Sequence, residues 1–141
     1  MEWIRRTVLA FAIAAVSCTP AAARDDLAGT WTLRIRNLDQ REVVSLTVRF
    51  ADAKVDSCMG DDWKRVVVQK VGSADEHFFP AQQPLSYRTS GSELVIGRTE
   101  VCDSYLLLEG KRRGDSVGGD YVGFGKGGKP RKGDFTLERD R

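Results

Sequence analysis

The chain has 141 residues, with 22 Lys or Arg, 20 Asp or Glu and a single His. So even a charge balance gives no warrant for a nucleic-acid-binding face, and one imidazole cannot supply the converging ligands of a metal centre. Once any targeting segment is set aside, the length allows one domain with one core.

The targeting segment comes first. Arg5 and Arg6 precede the apolar run Val8 to Val16, and small residues follow, ending in Ala21-Ala22-Ala23. That order marks a secretory signal peptide, and the apolar run is shorter than the roughly 20 residues a membrane span needs. The expected division is 1–23 signal peptide and 24–141 domain. The product is then periplasmic or secreted, with no transmembrane segment after cleavage. A second processing route starts from Ala15-Val16-Ser17-Cys18, which is similar to a bacterial lipobox and would lipidate Cys18. On either route Cys58 and Cys102 remain as an even pair bound for an oxidising compartment, and a disulfide between them is expected.

From Trp31 onward the apolar period is two. Trp31, Leu33 and Ile35 alternate with Thr32, Arg34 and Arg36; after a turn at Asn37 to Gln40, Val44, Leu46, Val48 and Phe50 alternate with polar residues. Each is the pattern of a half-buried strand. Trp63 to Val71 reads as a third strand, Leu85 to Thr89 and Glu93 to Arg98 as a hairpin about Ser90-Gly91-Ser92, and Asp103 to Glu109, Ser116 to Phe124 and Asp134 to Arg139 as three more. Gly72 to Pro84 reads as a lid, an irregular loop or a short helix. Gly118, Gly119 and Gly123 weaken the strand they sit in but permit the coiling a barrel corner needs. The expected fold is all-β: a single antiparallel meander barrel of about eight strands, which leaves no sheet edge exposed.

One conflict follows from that topology. Loops of a meander barrel alternate between its two ends, so Cys58 and Cys102 fall at opposite ends, whereas a disulfide needs Cα atoms within about 7 Å. The expected resolution is a strand segment over Val55 to Cys58 with a bulge near Gly60.

Two resemblances enter at the ends of the domain. Leu27-Ala28-Gly29-Thr30-Trp31-Thr32-Leu33 resembles the opening Gly-x-Trp strand of lipocalin-like (calycin) barrels. Gly110 to Gly119, with Gly133-Asp134-Phe135-Thr136-Leu137-Glu138-Arg139, is similar to their closing hairpins. The resemblance implies that Trp31, entered through Gly29, packs at the closed end with Arg139 over its ring, a cation–π contact of about 0.5–2 kcal/mol. Lipocalins are longer and carry a C-terminal helix for which this chain has no room. The interior is therefore either a ligand cavity or a lumen filled by its own side chains. The leader, size and single disulfide are also similar in architecture to small periplasmic inhibitors of secreted metalloproteases.

Reactive chemistry is sparse. His77, within Asp75-Glu76-His77-Phe78-Phe79, reads as a loop histidine, and Asp61-Asp62 as a turn before a strand. Lys111-Arg112-Arg113 and Lys126, Lys129, Arg131 and Lys132 read as solvated hairpin tips. Nucleophile elbows, phosphate loops and Cys-x-x-Cys pairs are missing from the sequence. No enzyme, cofactor, catalytic residue or metal site is expected. The leading expectation is a binding module holding a small apolar or amphipathic ligand in the barrel mouth, with Trp63, Phe78 and Phe79 at the entry. The competing expectation is an envelope protein-interaction module, such as a protease inhibitor or accessory subunit.

Overall fold

The computed structural model describes residues 27–60 and 62–141. The signal segment, Cys18 and Asp61 lie outside the described residues. Eight strands follow one another: β1 Thr30–Asn37, β2 Glu42–Lys54, β3 Lys64–Ala74, β4 Leu85–Ser90, β5 Glu93–Arg98, β6 Ser104–Arg113, β7 Ser116–Gly125 and β8 Arg131–Arg139. Each pairs antiparallel with the next, and β8 pairs with β1 from Trp31↔Arg139 to Asn37↔Gly133, closing the barrel. The period of two is the cause: β1, β2 and β8 turn their apolar residues inward and their polar residues outward.

The inward set fills the lumen. Trp31, Leu33 and Ile35 of β1 meet Leu46, Val48 and Phe50 of β2, Leu94 and Ile96 of β5, and Phe135 and Leu137 of β8, all buried. Phe50 packs edge-on between Trp31 at 6.2 Å and Tyr87 at 4.9 Å. Glycines set the curvature where β6, β7 and β8 meet. Gly110 opposes Gly119, and Gly119 opposes Phe135. A Cβ on Gly110 would stand 2.8 Å from Phe135 Cζ, and one on Gly119 would stand 1.9 Å from the Glu109 carbonyl oxygen. The Phe135 ring thus occupies space that a side chain on Gly110 would need, and Gly119 lets the β6 backbone approach closely, devices that suit a tightly coiled corner.

Strand β3 is the least regular. It pairs with β2 over its whole length through three register shifts, but with β4 only from Lys64 to Val66. Gln69 to Ser73 are exposed, and the bulges with Lys70 blunt the edge left there.

The two cysteines are joined, with Cα atoms 5.4 Å apart. The route between them differs from the expected one. Residues 55–58 are not a strand, and the meander is intact. Instead residues 55–60, with Asp62 and Trp63, fold back as a strap along the outer wall. Val55 N–H donates to the Trp63 carbonyl at 3.0 Å, which pinches the strap's base. Ser57 to Gly60 then turn: Gly60 N–H reaches the Ser57 carbonyl at 3.3 Å, and Gly60 takes φ +70°, a conformation glycine tolerates best. At the far side Cys58 N–H donates to the Thr99 carbonyl at 2.9 Å, beside the loop that carries Cys102. A bulge bends a strand by one residue; crossing the wall needs a whole loop, and the apolar side chains of that loop give it a reason to lie down.

Candidate functional site

Three places gather the residues singled out in the sequence. The first is the end of the barrel where β1 begins and β8 stops. Gly29, at φ +90°, turns the chain so that Leu27 enters the core. The Trp31 indole N–H donates to the Leu27 carbonyl at 3.1 Å. Arg139 lies over the ring at 4.4 Å, donates to Asp115 at 2.8 Å, and also reaches the Ala28 carbonyl. The Trp31 and Arg139 donors here are thus engaged with the chain itself.

The second place is the opposite end, roofed by residues 75–84. Asp75 starts a single turn by accepting from the backbone N–H groups of His77 at 3.0 Å and Phe78 at 3.2 Å. An Asx-type turn of this kind is why an acid stands there. The turn drives Phe79 fully into the core, where it meets Tyr121 edge-on at 5.6 Å; Phe78 meets the same ring at 5.1 Å. Tyr121 donates its hydroxyl to the Phe78 carbonyl at 2.5 Å. Burial pushes the phenol pKa well up, and the nearby Arg98 pulls it partly back. Phe78 and Phe79 therefore come together as the roof of the lumen. His77 is exposed beside them.

The third place is the strap, and it holds Trp63. The structure does not bring Trp63 to the roof with Phe78 and Phe79. Trp63 is fully buried on the outer wall, in a second apolar cluster with Val55, Leu107 and Val122, flanked by Met59, Val95 and Tyr105. These are the outward residues of β5, β6 and β7, so the strap covers a face that alternation alone would leave to solvent. Gly97 permits this, because a Cβ there would stand 2.7 Å from Leu107 Cδ2. Arg88 lies over the Trp63 ring at 5.2 Å.

Polar groups pin the strap's flank. Ser86 and Thr99 are fully buried and share a hydroxyl–hydroxyl bond of 2.6 Å. Arg65 grips Glu100 with two bonds of 2.6 and 2.9 Å, the bidentate geometry that favours arginine. At the strap's base Lys54 pairs with Asp62 at 3.2 Å, and Lys64 pairs with Asp52 at 2.6 Å, which holds the Asp52 carboxyl below the usual range. Two clefts meet at Trp63 and Arg88. One, of about 380 Å³, runs toward Asp52 and Thr89; the other, of about 190 Å³, runs over Val95 and Leu107 toward Phe124.

Sequence reasoning missed Arg88, Met59, Val95 and Phe124. The available signal was the apolar spacing of Val55, Met59 and Trp63 within an otherwise polar loop. The basic tips stay apart: Lys111 to Arg113 lead into the β6–β7 turn, and Lys126 and Lys129 lie in the β7–β8 turn at the other end. Lys129 is paired with Glu109 at 2.7 Å and Arg131 with Asp120 at 2.7 Å. Among the described residues no three His, Cys, Asp or Glu side chains gather as a metal site would require, and no helix is long and apolar enough to cross a membrane. Compared with protein-family models, with curated proteins and with solved structures, the chain finds no match.

Proposed function

We propose that this chain is a non-enzymatic, exported binding module that works through its outer surface, as an envelope protein-interaction domain of the inhibitor or accessory-subunit kind. The observation that carries this reading is the packed lumen. Trp31, Phe50, Tyr87, Tyr121, Phe79 and Phe135 occupy the barrel from one end to the other, each buried. A small barrel filled by its own side chains has little room for cargo. Trp31 under Arg139 supports grouping the barrel with lipocalin-like domains, here with the lumen given over to stability. The Cys58–Cys102 bridge is compatible with an oxidising compartment. The lumen-ligand reading has less support, since Phe79 and Tyr121 seal the end where a ligand would enter.

The test is to export the full chain, purify the processed product without detergent, and record its native mass spectrum. An empty protein that is retained by a defined component of envelope extracts is the expected result. A stoichiometric co-purifying small molecule, displaced when Phe79 is changed to Ala, would overturn the surface reading in favour of a carrier.

A further inference from the structure

The covalent bridge lies at the surface and outside the strands. Cys58 stands between β2 and β3, Cys102 stands between β5 and β6, and both residues are exposed. The barrel closes without the bridge, since β8 pairs with β1 from Trp31↔Arg139 to Asn37↔Gly133. An exposed disulfide is open to attack by an outside thiolate, and exposed bridges are the labile ones.

The two sides of the bridge are held unequally. The Cys102 side is anchored by its neighbours: the Thr99 hydroxyl is buried against Ser86 at 2.6 Å, and Glu100 is gripped by Arg65 at 2.6 and 2.9 Å. The Cys58 side is the tip of the strap, residues 56–60. Its base is pinched by the Val55–Trp63 hydrogen bond at 3.0 Å. Beyond that base the tip mostly bonds to itself: Met59 N–H donates to the Ser57 hydroxyl and Gly60 N–H to the Ser57 carbonyl. Among the described residues its one hydrogen bond to the wall is Cys58 N–H to the Thr99 carbonyl at 2.9 Å. Met59 adds an apolar contact, half-buried against the cluster of Val55, Trp63, Leu107 and Val122. With the covalent tie gone, one hydrogen bond and one methionine are a weak hold against the freedom that residues 56–60 would regain.

We propose that the Cys58–Cys102 bridge is a redox latch on the outer wall, opened by an exported dithiol. A thiolate of the dithiol attacks one sulfur of the bridge, forms a mixed disulfide and expels the other cysteine as a thiolate. The second thiol of the dithiol then resolves the mixed disulfide. Two electrons and two protons pass to Cys58 and Cys102, and the dithiol leaves as a disulfide. The tip lifts about its base, Met59 leaves the apolar cluster, and the cleft that Met59 borders over Val95 and Leu107 widens. The barrel stays folded, and oxidation by a disulfide reverses each step. The latch thus sets how much apolar surface β5 to β7 present, whether or not a partner binds there.

The experiment uses the processed, oxidised, ¹⁵N-labelled chain, with dithiothreitol as the reductant and oxidised glutathione as the oxidant. Free thiols are counted by alkylation and mass spectrometry, and amide exchange is followed by NMR. Both cysteines should become alkylatable without denaturant, at a rate that sub-denaturing urea leaves unchanged. The amides of Cys58, Met59 and Gly60 should then exchange within about ten-fold of the free-peptide rate, while those of β1 and β8 stay protected. Oxidised glutathione should restore both the mass and the protection. A Cys58→Ser, Cys102→Ser variant should match the reduced chain and ignore dithiothreitol. Reduction that speeds up with urea in step with global unfolding would make the bridge a sheltered staple and overturn the latch. So would tip amides that keep their protection after reduction, β1 and β8 amides that lose theirs along with the tip, or a response of the double variant to dithiothreitol.

Discussion

The lumen and the strap bury apolar surface by different means. Inside, residues from all eight strands interlock, and no single contact decides the outcome. Outside, Val55 and Trp63 rest on Leu107 and Val122, with a covalent bridge, a buried hydroxyl pair and an arginine fork holding them in place. In the lumen Tyr121 and Trp31 both donate to carbonyls, while Arg98 Nε at the end of β5 is buried without a partner among the described residues. The strap leaves the Trp63 donor unmet. The first region is built to be stable. The second is a small apolar patch held by covalent and polar ties at its margins.

Four measurements would break or sharpen that contrast. The largest effect is expected at the lumen's closed end. Trp31→Ala should cost about 3–5 kcal/mol and lower the thermal midpoint by roughly 10–25 °C in calorimetry. A loss under 1 kcal/mol would mean the lumen is not the principal core. Replacing both cysteines, Cys58→Ala with Cys102→Ala, should cost about 2–4 kcal/mol, since the bridge spans 44 residues. Hydrogen exchange should then be fast in residues 55–63 and still slow in β1 and β8. If β1 and β8 lose protection equally, the two regions are one cooperative unit.

Smaller effects test the strap's polar flank. Ser86→Ala should cost about 1–3 kcal/mol by stranding the Thr99 hydroxyl, and Ser86→Ala with Thr99→Val should recover most of it in urea titrations. Full additivity would show that the 2.6 Å contact contributes nothing. The last effect is absent at neutral pH. Burial raises the Tyr121 pKa above its unfolded value near 10. The folded chain therefore holds that proton more tightly. Its contribution is intact below about pH 10 and is lost as pH rises further. Denaturant midpoints should fall above about pH 10, and Tyr121→Phe should flatten that slope.

The same contrast explains what could be read from the chain. Alternation over Trp31 to Ile35 and Val44 to Phe50 directly marks the lumen, and Glu93–Arg98 has the expected bounds. Strand β3 runs on to Ala74, past the expected end at Val71, because it is held there by pairing to β2 while its side chains are exposed; alternation has nothing to report. The disulfide was legible by counting cysteines, since compartment and parity are properties of sequence. Its path was not. A loop that lies back on an outer wall is favoured by contacts with Leu107 and Val122, more than forty residues away, and no local pattern encodes that. Trp63 was assigned to the barrel mouth for the same reason: a lone aromatic before a strand does not say which side of the sheet it will face.

Force offers a different view of the bridge. β1 starts and β8 stops at the same end of the barrel, and Trp31 pairs with Arg139. Tension applied through those two ends would open the β1–β8 ladder one rung at a time, which is a soft mode. The tether would then lengthen until the load reached Cys58 and Cys102. Beyond that point about 150 Å of contour, the stretch between the two sulfurs at full extension, would stay locked. A pulling trace on the oxidised chain should therefore fall short of the reduced one by that length, and the shielded segment would include half the strap and all of β3, β4 and β5.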